Sequence, residues 1–130
     1  MRARSDTGSI TAMTATVVAG FVLMLALVVG GGAVLRARTD AFGTAAAAAR
    51  AGAQQLDEDA LAEGDVVIDT AKAQAAAQGY LAAQGADGTV QVAGADVIVT
   101  VNETVTIPTL GQSVAISATA TVSAIKGTAA

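Results

Sequence analysis

The 130-residue chain contains no His, no Cys and no Trp, and its only aromatic residues are Phe21, Phe42 and Tyr80. Each absence removes a kind of chemistry. Without His or Cys the common zinc and iron sites are closed, as are imidazole acid–base catalysis and thiol nucleophiles. Without Cys there is no disulfide framework, and the redox compartment leaves no mark. The scattered Ser residues have no base to activate them. Cations are scarce where the chain is polar: residues 57–130 carry nine acids against Lys72 and Lys126. Such a segment is a poor ligand for phosphate backbones, which need clustered Lys and Arg. The composition therefore points away from an enzyme. It offers no catalytic residue, no cofactor or metal site, no small-molecule substrate and no nucleic-acid partner.

The chain is rich instead in Ala, Val, Thr and Gly, and it has one long run without charge. No ionisable residue lies between Asp6 and Arg36. Ile10–Val29 supplies the roughly 20 apolar residues needed to span a bilayer. Thr11, Thr14 and Thr16 at its start are tolerable in lipid, because their hydroxyls can bond back to the helix's own carbonyls. A buried core helix would rarely run so long without a charge. A cleaved signal peptide fits the basic Arg2 and Arg4, but its apolar region would be shorter, and no small-x-small cleavage site follows. The expectation is a permanent single-pass anchor in contact with membrane lipid. Arg2 and Arg4 before the span balance Arg36 and Arg38 after it, so the distribution of positive charge leaves the orientation open.

Beyond the span the pattern stays helical. The Ala-rich stretch Leu35–Leu56 contains no Pro and favours helix. Leu35, Phe42, Ala49 and Leu56 recur every seven residues, with Thr39, Ala46 and Ala53 between them. That is a heptad-like seam of mostly small residues, suited to close helix approach. It faces either a neighbouring subunit's helix or this protein's own second helix and sheet. Gly30–Gly32 marks either a bend or the end of the membrane helix.

The remainder reads as a small α+β domain. Asp57, Glu58, Asp59, Glu63 and Asp65 suggest a solvated acidic loop, without the ligand offsets of a calcium loop. A second, shorter helix is expected from Asp69 or Thr70 to Gln84, with Asp69 as N-cap and Gly85 as stop. Alternation then predicts three strands: Thr89–Ala93, Val97–Ile107, and a third with Val114, Ile116, Ala118, Ala120, Val122 and Ala124 inward. Glu103 breaks the apolar side of the second strand and predicts a bulge or an edge position there. The strands should form an antiparallel meander whose edges a neighbour could extend. The expected organisation is an N-terminal segment 1–9, a transmembrane helix 10–35, a helical extension 36–56 and an α+β domain 57–130.

With these residues in order, the chain resembles TadE/TadG-like pilus-assembly proteins of the Tad (Flp-type) pilus system, of actinobacterial type. The resemblance is carried by Asp6-Thr7-Gly8-Ser9-Ile10 before the span and Val28-Val29-Gly30-Gly31-Gly32 at its end. It is carried also by the Ala45–Gln55 run into Leu56-Asp57, by Ala71–Gly79 into Tyr80-Leu81-Ala82-Ala83, and by the Val/Thr strands. It implies a pilin-like architecture, an N-terminus in the cytoplasm and a domain outside the cell membrane. It further implies a structural, minor-pilin-like role with other pilus or secretion-system subunits as partners; the heptad seam Leu35, Phe42, Ala49 and Leu56 is the expected helix-packing surface for them. Type IV-like prepilins are cut after a Gly and carry Glu at the fifth mature position; after Gly8 that position is Met13, a departure that favours an uncut component. The competing expectation is a membrane-tethered extracytoplasmic binding module unrelated to pili.

Overall fold

The computed structural model describes residues 7–108 and 110–124. Arg2, Arg4, Asp6 and most of the expected N-terminal segment 1–9 lie outside the described residues, as does Lys126. The elements run α1 (Thr7–Ala53), α2 (Glu58–Ala62), α3 (Thr70–Ala83), β1 (Asp87–Ala93), β2 (Asp96–Ile107) and β3 (Gln112–Ser123). The fold is α+β, with a long N-terminal helix and a three-stranded antiparallel sheet in the order β1-β2-β3.

α1 has 47 residues, which corresponds to about 70 Å at 1.5 Å per residue. It passes unbroken through Gly30–Gly32, so these glycines do not end the membrane helix. The Thr14 and Thr16 hydroxyls donate to the carbonyls of Ile10 and Ala12, each at 2.9 Å. Two kinds of environment divide the helix. From Ile10 to Val29 its large side chains are all exposed. From Gly30 onward one face is covered, partly through Ala33, Val34 and Ala37 and fully through Ala41, Ala45, Ala48 and Ala49, at helical spacing.

That face lies on the sheet. Val97, Val99 and Val101 of β2, Ala118 and Ala120 of β3, Ala73, Ala77 and Leu81 of α3, and Ile68 just before α3 complete the core. The packing is close because the residues are small. A Cβ added at Gly52 would stand 3.0 Å from Val97 Cγ1 and 3.1 Å from the Ala73 carbonyl. Gly88 is tighter still, with an added Cβ 2.7 Å from the Thr100 carbonyl oxygen.

Several local expectations are revised. α1 stops at Ala53, so Leu56 is not helical: it forms a bridge with Ile68. The Asp57 N–H donates to the Val67 carbonyl and the Asp69 N–H to the Gln55 carbonyl, both at 2.9 Å. These two bonds draw the chain out of the helix and close the acidic segment into a loop. Within it lies α2, a single helical turn where only a loop was expected. The Asp57 carboxylate caps it by accepting from the Asp59 and Ala60 amides, and Glu58 and Asp59 suit its first turn. α3 begins as anticipated, with Asp69 accepting from the Lys72 amide at 3.1 Å.

No bulge forms at Glu103. The β2–β3 register is continuous from Asp96↔Ser123 to Ile107↔Gln112. β1 pairs with β2 only as far as Asp87↔Asn102, so beyond that point β2 is itself an edge, and Glu103 is exposed there. The β2–β3 hairpin thus projects well past β1 and turns through Gly111, whose φ is +61.

Candidate assembly surface

The four residues of the heptad seam do not share one environment. Leu35 and Phe42 are 68% and 54% exposed, Ala49 is 0% exposed, and Leu56 lies off the helix. The reason is geometric. A seven-residue repeat drifts about 20° per heptad on a straight α-helix. Leu35 and Phe42 therefore lie on the flank of the sheet-facing side, and one heptad later the stripe has rotated under the sheet. Ala49 is part of this protein's own core, while Leu35 and Phe42 remain available to a neighbour. Of the intervening positions, Thr39 is exposed and its hydroxyl donates to the Leu35 carbonyl at 3.0 Å, whereas Ala46 and Ala53 pack against the core.

Leu35 and Phe42 line a shallow groove with Arg38, Thr39, Ser117 and Thr119. Its floor is Ala118 of β3, the strand whose outer edge has no partner strand among the described residues. On the other side of α1, Asp40 and Thr44 line a second, polar groove with Asn102 and Glu103. Neither is enclosed, and the second also takes in Asp87. Among the described residues, no three acidic or metal-binding side chains converge on a point.

The electrostatics of the domain are local. The Lys72 amide, donating to the Asp69 carboxylate, holds that carboxyl below the usual range, against a smaller opposing effect of partial burial. The Lys72 ammonium at 3.5 Å adds to the lowering. This is a helix cap rather than an active site.

These features define a class of protein: one apolar N-terminal helix long enough to cross a membrane, carrying a small α+β head. Residues 8–55 match the family model described as putative Flp pilus-assembly TadE/G-like. The match covers α1 and ends before α2, α3 and the sheet. No curated protein and no solved structure matches the chain.

Proposed function

We propose that the protein is a structural subunit of a Tad-type pilus or its assembly machinery, held in the cell membrane by Ile10–Val29. Its α+β domain stands on the extracytoplasmic side. The observation that carries this reading is a coincidence: the TadE/G-like match falls on the helix whose large apolar side chains from Ile10 to Val29 are all exposed. A soluble monomer rarely leaves so large an apolar surface in water. The role is mechanical rather than catalytic. The helix anchors, and the Leu35–Phe42 flank with the open β3 edge meets neighbouring subunits.

The test begins with extraction. The chain should stay in the membrane pellet after carbonate washing, and protease added to wall-stripped cells should remove residues 57–130. Leu23→Arg puts a charge at mid-span, at a cost of about 2.5–3.5 kcal/mol on insertion scales, and should shift the chain toward the soluble or degraded fraction. Recovery of a soluble chain starting beyond Leu35 would refute the anchor. Complete protease protection would reverse the topology. Its detection in sheared surface filaments would separate a pilus subunit from a tethered binding module.

A further inference from the structure

The end of the β2–β3 hairpin has a position and a chemistry that α1 alone does not account for. β2 descends along α1 toward its apolar half: Val97 meets Gly52, and Val101 lines a groove with Ala41. From Val101 the strand continues to Ile107, roughly 20 Å at about 3.3 Å per residue. That length equals about 13 residues of helix, which carries the hairpin end from the level of Ala41 to about Val28.

Burial on α1 follows the same path. Gly30 is buried and Ala26, Ala33, Val34 and Ala37 are half-buried, whereas Leu27, Val28 and Val29 are exposed. These covered residues continue the face that begins with Ala41. Ile10–Val29 is about 30 Å long, the thickness of the hydrocarbon core, so the hairpin end lies at the outer boundary of that core.

The chemistry of this end suits that level. Leu110 is 68% exposed, and Pro108 is exposed beside it. No charged residue occurs from Thr104 to Ala124, although the domain is otherwise acidic. Arg36 and Arg38, both exposed, follow Val29 by about 10 to 14 Å, and their long side chains can reach back to lipid phosphates.

We propose that the β2–β3 hairpin is a second membrane contact, seating Pro108 and Leu110 in the lipid interface beside α1. The inference rests on the reading of Ile10–Val29 as a membrane span. With two supports the helix cannot tilt freely in the membrane, and the Leu35–Phe42 flank is held at a constant angle to the membrane surface.

Because the chain has no Cys, single cysteines report depth directly. The full chain would carry Leu110→Cys, Pro108→Cys, Leu61→Cys or Leu25→Cys, each labelled with an environment-sensitive fluorophore. Each would be reconstituted into phosphatidylcholine–phosphatidylglycerol vesicles with shallow or deep nitroxide lipids. Leu25 lies in the span, and Leu61, 48% exposed, lies on α2. Deep quencher should act on position 25. Shallow quencher should act on positions 108 and 110 at least about twofold more than on 61, as expected for groups about 5–10 Å into the interface. Quenching at 108 and 110 equal to that at 61, with position 25 still quenched, overturns the hairpin contact and leaves the anchor intact. If position 25 is also unquenched, the anchor fails and the hairpin contact fails with it.

Discussion

Replacing Ala49 with Leu separates packing within the fold from packing between subunits. Ala49 is fully buried in a core whose largest fully buried side chains are Val97 and Val99. The neighbouring positions on the same face, Ala45 and Ala48, are also fully buried. An isobutyl group entering there must push α1 off the sheet or force a strained rotamer, which typically costs about 1–3 kcal/mol. The loss of helix propensity from Ala to Leu is small beside that. For a folded domain of this size, 1 kcal/mol moves the melting temperature by about 4–8 °C, so the change should lower it by roughly 4–24 °C. The assay is thermal melting of the full chain in detergent micelles. It would be followed by far-UV circular dichroism and by the fluorescence of Tyr80, the only Tyr in a chain without Trp and one packed against the core. Phe42→Ala is the control: exposed and outside the core, it should shift stability by no more than about 0.5 kcal/mol while weakening recovery of the protein with its partners. An Ala49→Leu protein that melts like the parent, or a Phe42→Ala protein that melts much lower, would refute this division of the seam.

Gly88→Ala should be destabilising although Gly88 does not need a positive φ. Its added methyl meets the Thr100 carbonyl oxygen at 2.7 Å, so β1 must shift from β2. A loss of about 1–3 kcal/mol is expected, read as a lower denaturation midpoint, and an unchanged midpoint would show that the strand yields freely. Asp69 should make stability depend on acid. Its folded pKa is lowered, so its contribution is complete above the unfolded value of about 3.9 and is lost as pH falls through the lower folded value. Asp69→Ala should therefore flatten the fall in melting temperature on acidification, and parallel curves for variant and parent would rule the cap out as its source.

Much of this architecture was legible in the chain because it follows from local periodicity. The charge-free Ile10–Val29 run, the Asp69 cap and the alternation of Val97, Val99 and Val101 each specify an element without reference to anything distant. Of the expected inward set, Ile116, Ala118, Ala120, Val122 and Ala124 do face or pack against the core, whereas Val114, on the part of the hairpin beyond β1, is exposed. Other features were not legible, because they depend on where the chain meets itself. Leu56 continues a heptad in the sequence, but the hydrogen bonds of Gln55 and Asp57 with Asp69 and Val67 take it out of the helix. α2 depends on the Asp57 carboxylate turning back onto two amides, a competition between cap and loop that composition does not decide.

The seam illustrates the boundary between the two. The sequence by itself determined that Leu35, Phe42 and Ala49 lie near one line on a helix. Only the tertiary structure decided that the line crosses from solvent into the core, because the sheet and α3 close over α1 at Ala45–Gly52 and the stripe drifts about 20° per heptad toward them. Likewise, an uncharged strand pair was written in Thr104–Ala124. That it extends past β1 along α1 toward Gly30 depends on register and strand length, which are set by long-range pairing.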